Sequence, residues 1–573
     1  MLPRPLGRSR LRLFATLVAI GVGQAVAAII VGMLVQHGFD TLVNGSVPLT
    51  AAGGLPIAAG LTAGVLMLAV LRGVERLAAE RLGQHYVIEV RETLFVHLTR
   101  VPARSLGRRH RGSMLMRFVG DLSALRSWVS LGLSRLLVGG VAVGLSMTVL
   151  AVISLRLGLA VGGVLLLGAL GTWAASPYLM SRTRYARGRQ SRLTGEVTER
   201  LTQVAVLQAA GQERRENKRV RRRSQEVADA VVARAGATGL TRAVAEGTAA
   251  AATVAALLVG AVEVQAGRTS AGTVVAAVTI TGLLAGHLRD LGRVGEYATG
   301  AKVARQAARR FLEMAILPDP AGSPDLEPGR GAVEIRDVSL GDALRGVTVR
   351  ADAGRTVAVV GPNGAGKSSL ASVVARMVDP DAGEVRLDSQ DLRSRSLASV
   401  REAIGIASPD LPLLRGSMER NVRYRWPRCP QEEVDRVAAL CDLDAVAADL
   451  PDGWRQDVGD GGSRLSAGQR ARLTVARAVL GRPVLLVLDE AEAHLDRHAN
   501  AVVDRVLTDH HGTALVVTHR RDLVERADEV WCLVDGRLVE TGSPRDLLHG
   551  DGPTARLFAG AAQQPPDQHR AAV

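Results

Sequence analysis

The stretch TVAVVGPNGAGKSSL at residues 356–370 decides the fold of the second half of this chain. A run of strand-forming apolar residues ends at Val360, and a glycine-rich loop of the form G-x-x-x-x-G-K-S then leads into a helix start. The glycines let the backbone turn tightly, so that its N–H groups can surround phosphate oxygens. A strand before the loop and a helix after it predict an α/β domain that binds a phosphate-bearing ligand.

The loop itself supplies the candidate phosphate-binding residues. Lys367 carries a point charge suited to the β- and γ-phosphates of a nucleotide, and the Ser368 hydroxyl is suited to Mg²⁺. The other candidates are Gly361, Pro362, Asn363, Gly364, Ala365, Gly366 and Ser369.

A second strand, VLLVLDE at 484–490, ends in two carboxylates. Asp489 is suited to a contact with Mg²⁺, and Glu490 is suited to polarising an attacking water. The alternative interpretation is a strand-end turn with two solvated acidic side chains. The presence of a phosphate loop in the same domain weakens that interpretation. The sequence therefore predicts a nucleotide hydrolase site.

Two further motifs are ambiguous when taken alone. RLSAGQRARLTVARAVL (464–480) predicts a loop that feeds an amphipathic helix, with Ser466, Gly468 and Gln469 where a helix N-terminus could face an anion. The same pattern also describes an ordinary capped helix. TALVVTH (513–519) predicts a strand that ends in His519, and a lone histidine there is more often structural than catalytic.

The first half of the chain differs sharply in charge. Residues 1–330 hold 40 Lys and Arg against 20 Asp and Glu, whereas residues 331–573 hold 31 against 36. The basic excess coincides with long apolar runs, which favours a membrane over nucleic acid as the partner and excludes a single soluble domain. Attraction to anionic lipid and a solvated face explain the basic loops better than RNA binding does.

Charge-free runs mark six membrane spans, because a spanning helix needs about 20 apolar residues. The predicted spans lie near 13–36, 55–73, 133–155, 157–179, 246–266 and 271–289. Of the six runs, the fifth is the shortest.

The segments between the predicted spans are alternately rich and poor in basic residues, so the positive charge falls on one side of the membrane. The segments 73–127 and 176–240 are rich in Arg, whereas the 37–56 loop has no Lys or Arg. Positive residues stay in the cytoplasm, so both termini and both long loops are expected there, in a multi-pass protein of the cell membrane. Four ionisable residues lie near span ends, where snorkelling to the interface is favoured over lining a substrate path: Arg135, Glu246, His287 and Asp290.

Composition then divides the chain into parts. The predicted boundaries are a membrane domain at 1–316, a Pro/Gly/acidic linker at 317–331, an α/β domain at 332–552 and a disordered tail at 553–573.

Together the cytoplasmic motifs resemble one family. The phosphate loop, LSAGQ, VLLVLDE, AHLD (493–496) and His519 occur in the order and spacing of the ABC transporter nucleotide-binding domain, and the six-span first half resembles the exporter-type half-transporter. The likeness covers residues 10–550. It also places the two coupling helices of that family near 112–118 and 204–211.

This resemblance implies a dimer that holds two ATP molecules with Mg²⁺ at the interface of its ATPase domains. Each ATP would lie between one chain's phosphate loop and the other chain's signature motif. Glu490 would activate water, and His519 would contact the γ-phosphate. The residues that would complete the partner's site are Leu465, Ser466, Ala467, Gly468 and Gln469, with Asp496 in the D-loop.

The sequence departs from the family at two contacts to nucleotide. Asp342 stands where an aromatic residue usually stacks on adenine, worth about 0.5–1.5 kcal/mol. Pro409 stands where a glutamine usually reaches Mg²⁺, and proline has no side-chain donor or acceptor. Smaller departures are Ala467, Ala493 and His494.

These departures favour a weakened half that pairs with a different half-transporter. A slowly hydrolysing homodimer is the alternative, and a non-transporting ATP-binding membrane regulator is a second one. Glu490 argues against the regulator, which has no need of that carboxylate. Ala, Val, Leu and Gly dominate the spans and are compatible with a lipid, an amphiphilic drug-like molecule or a peptide as substrate.

Overall fold

The computed structural model describes residues 2–43, 51–102, 122–320, 322–327, 329–491 and 497–559. The chain separates into two compact units, with the change between Ala315 and Ile316. The first unit is helical, and the second combines two sheets with helices. Six apolar helices followed by an α/β unit confirm the predicted fold class.

Long α-helices make up most of the described part of the first unit. Their bounds are α1 (Leu11–Val43), α2 (Ala51–Leu98), α3 (Leu122–Ser127), α4 (Ser134–Ile153), α5 (Leu155–Thr202), α6 (Val204–Ala209), α7 (Glu213–Gln265), α8 (Ala271–Gly292) and α9 (Val294–Leu312). A 3-10 turn at Arg8–Arg10 precedes α1, and a π-helical turn at Trp128–Leu133 joins α3 to α4.

Six stretches of these described helices are long and apolar enough to cross a membrane. They are Arg8–Thr41, Leu55–Leu98, Leu122–Ile153, Leu155–Leu201, Glu213–Gln265 and Ala271–Leu312. Several continue well past the apolar core of a bilayer. The 53 residues of α7 extend about 80 Å at 1.5 Å per residue, against about 30 Å of hydrocarbon. The short fifth run lies inside this one continuous helix.

One face of α7 consists of small residues that recur every three or four positions. Its buried members include Ala237, Thr241, Ala245, Ala249, Ala252, Ala256 and Gly260. A Cβ atom added to Gly260 would lie 2.7 Å from the Val274 side chain of α8, and one added to Gly168 of α5 would lie 2.1 Å from Thr248. Small residues stabilise helix pairs in lipid by letting backbones approach closely. The stripe therefore packs α7 against both α5 and α8.

Ion pairs join α5 and α7 along their polar ends. Arg189 donates to Glu226 at 2.5 Å, and Arg200 pairs with Glu216. The basic segment 176–240 is thus largely helical, and part of its charge is neutralised between helices.

Ten strands of the described second unit form two sheets. Their bounds are β1 (Val333–Leu340), β2 (Leu344–Ala351), β3 (Thr356–Val360), β4 (Ala382–Leu387), β5 (Gln390–Asp391), β6 (Ile404–Ala407), β7 (Leu485–Asp489), β8 (Thr513–Val517), β9 (Glu529–Val534) and β10 (Arg537–Gly542). The larger sheet has the order β10–β9–β3–β8–β7–β6, parallel except for β10, and the smaller has the antiparallel order β2–β1–β4–β5. Helices cover the parallel strands, so β7 and β8 are buried throughout.

Ten α-helices accompany these strands in the described residues. Their bounds are α10 (Lys367–Val374), α11 (Leu397–Ala403), α12 (Met418–Val422), α13 (Gln431–Cys441), α14 (Leu443–Ala448), α15 (Ala467–Val479), α16 (Arg497–Asp509), α17 (Arg521–Arg526), α18 (Pro544–His549) and α19 (Pro553–Ala559). Short 3-10 turns lie at Leu392–Ser394, Gly453–Arg455 and Asp460–Gly462.

The predicted linker, 317–331, lies against the second unit along its described residues, and we call it the strap. The backbone N–H of Leu326 donates to Ser399 Oγ at 2.8 Å, and the N–H of Gly331 donates to the Asp388 carboxylate at 2.9 Å. The strap thus satisfies its backbone groups with side chains of the folded domain.

A buried arginine holds the start of the strap. Arg376 is only 2% exposed, and its guanidinium donates to the carbonyl oxygens of Pro318 at 2.9 Å and of Arg395 at 2.7 Å. Arg376 lies just beyond the end of α10, the helix that begins with the phosphate-loop lysine. Its backbone has φ of +47°, a left-handed conformation unusual for a residue with a side chain.

The prediction of a disordered tail from residue 553 is wrong for its first part. Pro553–Ala559 form helix α19, because Phe558 is buried in a small apolar cluster and Thr554 bonds to Glu540 at 2.6 Å. Leu557 packs against the same cluster, and the backbone N–H of Thr554 also donates to Glu540, at 2.9 Å. Residues 560–573 lie outside the described part of the chain.

Candidate nucleotide-binding site

The phosphate loop between β3 and α10 is packed closely against its own domain. A Cβ atom at Gly366, where φ is +100°, would lie 2.3 Å from the carbonyl oxygen of Ala343. One at Gly361 would lie 2.2 Å from the carbonyl oxygen of Leu533. No other residue type fits at these two positions without displacing backbone.

Lys367 lies inside this loop. Its Nζ donates to the carbonyl oxygens of Gly361 at 2.8 Å and Pro362 at 3.1 Å, and the residue is buried. Burial lowers the pKa of the ammonium group, while the nearby carboxylates of Glu490 and Asp489 oppose that shift. The side chain is therefore held within the loop that would surround the phosphates.

Asp489 ends β7 beside the phosphate loop. Ser368 Oγ donates to its Oδ1 at 2.9 Å, so the two residues predicted to bind Mg²⁺ are in direct contact. Burial raises the pKa of Asp489, and hydrogen bonds from Ser368 and Ser408 act in the opposite direction. A carboxylate and a hydroxyl fit Mg²⁺, which prefers oxygen ligands and takes one or two from protein beside substrate phosphates.

Glu490 and His519 follow the adjacent strands β7 and β8. His519 Nε2 lies 3.5 Å from Glu490 Oε1, and both side chains are partly exposed. Glu490 has φ of +49°, and its N–H donates to the carbonyl oxygen of Val517 at 3.0 Å. Such a conformation costs about 1–3 kcal/mol and persists where the surrounding structure imposes it, as at functional sites. The backbone at Glu490 is therefore held in an unusual conformation beside His519.

The signature motif forms the start of α15. Ser466 Oγ accepts from the N–H of Gln469 at 3.1 Å, and Gln469 Oε1 accepts from the N–H of Ser466 at 3.0 Å. This reciprocal capping box fixes the N-terminus of the helix. Leu465 is buried beneath it, and Ala467 and Gly468 form the first turn.

The two departures lie in separate loops of the domain. Asp342 is exposed in the turn between β1 and β2. Pro409 follows β6, in a loop whose preceding residue, Ser408, donates to Asp489 Oδ2 at 3.1 Å. Asp496 of the D-loop lies outside the described residues.

Sequence analysis missed two polar residues of this site. Ser408 contacts Asp489, and Arg477 of α15 donates to the carbonyl oxygens of Leu411 and Pro412 at 2.5 and 3.1 Å. The position of Ser408 directly before Pro409, at the end of a strand, was the available signal.

Comparison with known proteins identifies the family. Residues 13–288 match the ABC transporter transmembrane region, and residues 344–493 match the ABC transporter family. The ATP-dependent lipid A-core flippase of Thiobacillus denitrificans is 30% identical over 513 residues, which cover 86% of this chain and 88% of that relative. The chain belongs to the ABC transporters, as an exporter-type half-transporter. ABC exporters couple ATP hydrolysis to transport, and the α/β unit of this half-transporter is its nucleotide-binding domain.

Other matches agree with this assignment. A β-(1→2)glucan export ATP-binding/permease protein, NdvA of Rhizobium johnstonii, is 36% identical over 300 residues, half of each chain. The solved structure of a bacterial Atm1-family ABC exporter with ATP bound shares the fold, with a TM-score of 0.86 at 24% identity, and covers 99% of this half-transporter and 100% of that chain.

A polar cluster lies within the membrane unit of the half-transporter. Arg135 of α4 and Asp290 of α8 face each other at 3.4 Å, so these two residues pair within the bundle instead of snorkelling separately. Nearby, Gln24 of α1 donates to Glu75 of α2 at 2.9 Å.

A cavity of about 270 Å³ opens beside Asp290, between α7 and α8. Its lining residues are Arg242, Ala245, Glu246, Gly286, Arg289, Asp290 and Arg293. Three arginines and two acidic residues thus line one cavity.

Proposed function

We propose that this half-transporter exports an amphiphile with an anionic head group across the cytoplasmic membrane, as one half of an ABC dimer. The observation that carries the ATP-driven part is the convergence of Lys367, Ser368, Asp489 and Glu490 at one sheet edge of a chain with six membrane-spanning helices.

The roles of the site residues follow from their placement. The loop and Lys367 would bind the β- and γ-phosphates, and Ser368 with Asp489 would hold Mg²⁺, which neutralises phosphate charge when bound. Glu490 would orient water and accept its proton, while His519, 3.5 Å away, would contact the γ-phosphate.

The capped end of α15 would serve the partner chain. Ser466 and Gly468 stand at a helix N-terminus, which carries a partial positive charge and attracts phosphate. Together with Asp496 of the D-loop they would complete the ATP site of the second half.

A different half-transporter is the favoured partner. Pro409 offers no side-chain group to the metal, and the exposed turn at Asp342 offers no aromatic face to adenine. Two weakened contacts to one nucleotide are tolerated most easily when the other site of the dimer is complete. A homodimer of this chain would hydrolyse ATP slowly for the same reason.

The alternation of basic segments supports cytoplasmic termini. It places the short helix α6 (Val204–Ala209), with exposed Val204 and Val206, on the cytoplasmic side. We assign α6 as one coupling helix, as the family resemblance implies. The other, 112–118, lies outside the described residues.

The cavity beside Asp290 supports the proposed substrate class. Asp290 is paired with Arg135 and Arg242 with Glu296, which leaves Arg289 and Arg293 against Glu246 in the lining, a positive excess. These charges lie near the ends of the predicted spans 246–266 and 271–289 and line a cavity, and ionisable groups in such positions mark substrate pathways in membrane proteins. The apolar helix surfaces around the cavity suit the hydrophobic part of an amphiphile.

Uptake by inverted membrane vesicles tests this proposal. Vesicles from cells that produce the chain retain any second half-transporter of the host membrane. We expect ATP-dependent uptake of a fluorescent anionic amphiphile, little uptake of a cationic analogue, and reduced uptake in Glu490→Gln vesicles. Arg289→Ala should reduce uptake, whereas Arg310→Ala, on the exposed surface of α9, should not. Equal uptake of both amphiphiles would refute the anionic class, and uptake that does not depend on ATP would refute ATP-driven export. Uptake unaffected by Glu490→Gln would refute a contribution of hydrolysis at this chain's own site.

A further inference from the structure

Ser408 is placed beside Asp489 by strand register. Ala407, the last residue of β6, pairs with Leu488 of β7, so the next residue of each strand lies side by side at the carboxyl edge of the sheet. Ser408 is only 7% exposed, and its hydroxyl donates to Asp489 Oδ2 at 3.1 Å.

Two serine hydroxyls donate to the Asp489 carboxylate, one to each oxygen. Ser368 donates to Oδ1 at 2.9 Å, and Ser408 donates to Oδ2. Ser408 Oγ in turn accepts the backbone N–H of Asp410 at 3.3 Å, which directs its own proton toward the carboxylate. A carboxylate whose two oxygens each accept a hydrogen bond has a fixed rotation.

The loop that carries Ser408 is held at its far end. Arg477 of α15 donates to the carbonyl oxygens of Leu411 and Pro412, and Pro409 has a φ angle restricted by its ring. The serine hydroxyl therefore projects from a constrained segment, as a positioning group requires.

We propose that Ser408 is a positioning residue for the Mg²⁺–nucleotide site, which holds the carboxylate of Asp489 from the same loop in which Pro409 offers no ligand to the metal. If the hydroxyl oxygen of Ser368 were to bind the metal, Ser408 would still hold the carboxylate of Asp489. The chain's own site would then bind Mg²⁺–ATP even though its adenine contact is weakened. This inference rests on the proposed role of Asp489 at the metal.

Metal affinity tests the proposal without relying on activity. The full-length chain in lipid nanodiscs carries Glu490→Gln, so that ATP is not consumed, and Mn²⁺ binding in the presence of ATP is measured by electron paramagnetic resonance. Ser408→Thr and Ser408→Val form a pair of equal shape, with and without the hydroxyl. We expect Ser408→Val to weaken Mn²⁺ binding about tenfold or more, as loss of a partner of a metal ligand does, and Ser408→Thr to restore most of it. Metal-free binding of a fluorescent ATP analogue should be unchanged.

Three controls make the outcome decisive. Ser394→Ala removes an exposed hydroxyl that bonds only within its own turn, to the carbonyl of Asp391, and should have no effect. Asp489→Asn should weaken Mn²⁺ binding strongly, and if it does not, the proposed metal site itself is wrong. If Asp489→Asn weakens binding while Ser408→Val equals Ser408→Thr, only the role of Ser408 is refuted. Thermal unfolding without nucleotide checks each variant, and Ser408→Ala replaces Ser408→Val in the comparison with Thr if the valine does not fold.

Discussion

At the scale of single residues, nucleotide binding depends most directly on Lys367. Its Nζ is held by two loop carbonyls, at 2.8 and 3.1 Å, where the phosphates would lie. We expect Lys367→Ala to weaken ATP binding by at least about tenfold, because a charge-assisted contact contributes about 1.5–3 kcal/mol. Titration with a fluorescent ATP analogue measures this. Lys302→Ala, which removes an exposed lysine of α9, is the matched control. Unchanged ATP binding in Lys367→Ala would overturn the assignment of the phosphate loop.

The second prediction at this scale concerns Pro409. Pro409→Gln introduces an amide next to Ser408, within the loop that contacts Asp489. If the missing glutamine limits this site, the Mg²⁺-dependent ATPase rate should rise, by up to about tenfold. Pro409→Ala removes the ring without adding the amide and should leave the rate low. Equal rates for the two variants would show that loss of glutamine is compensated.

Local sequence predicts the placement of some of these site residues and not of others. Gly361 to Ser369 form one continuous loop, so spacing alone places Lys367 and Ser368 together. Asp489 and Glu490 stand at the end of an apolar run, which predicts a strand end at a site edge. Ser408 reaches Asp489 only through the pairing of β6 with β7, whose strands are separated by more than 75 residues of sequence. No periodicity within either strand specifies that register.

At the scale of elements, we predict that the strap depends on Arg376. Arg376→Leu keeps an apolar body in a buried position but removes the guanidinium from the carbonyls of Pro318 and Arg395. Each unpaired buried acceptor costs about 1–3 kcal/mol. We expect amides of the strap, such as Leu326 and Gly331, to exchange with deuterium about tenfold faster, which corresponds to about 1.4 kcal/mol of local opening free energy.

An exposed arginine provides the control for the strap. Arg350 of β2 has a largely solvated side chain, so Arg350→Leu should leave exchange in the strap unchanged. Unaltered exchange in Arg376→Leu would show that Ser399 and Asp388 hold the strap without the arginine.

Composition predicts some elements well and misleads on others. Charge-free runs predict the six membrane-spanning helices because burial in lipid excludes charge over a fixed length. The strap has the Pro/Gly/acidic composition of a free linker, yet its backbone bonds to side chains more than 50 residues away. Helix α19 likewise depends on Phe558 and Thr554, whose partners lie in β9 and β10 and in the cluster around them. Contacts with other segments of the chain therefore determine the structure of both the strap and α19.

At the scale of the whole molecule, charge separates the two halves. The first carries the basic excess, which suits a membrane unit with cytoplasmic basic loops, and the second carries the nucleotide site. In the proposed site, Ser368 and Asp489 would hold the metal, with Asp489 positioned by Ser408. Asp342 offers no aromatic face to adenine, and Pro409 offers no side-chain ligand to the metal. Under the proposed function, this division accounts for a chain that retains Glu490 and pairs with a better-equipped half-transporter.

The central claim is that this half-transporter hydrolyses ATP through Glu490 and does so slowly by itself. Mg²⁺-ATPase activity of the purified full-length chain in lipid nanodiscs tests it most directly, with Glu490→Gln as the control. The account predicts a turnover below about 1 s⁻¹, against about 10 s⁻¹ for a median enzyme, abolished by Glu490→Gln. Activity that survives Glu490→Gln, or turnover at about 10 s⁻¹ or faster from the chain alone, would contradict it.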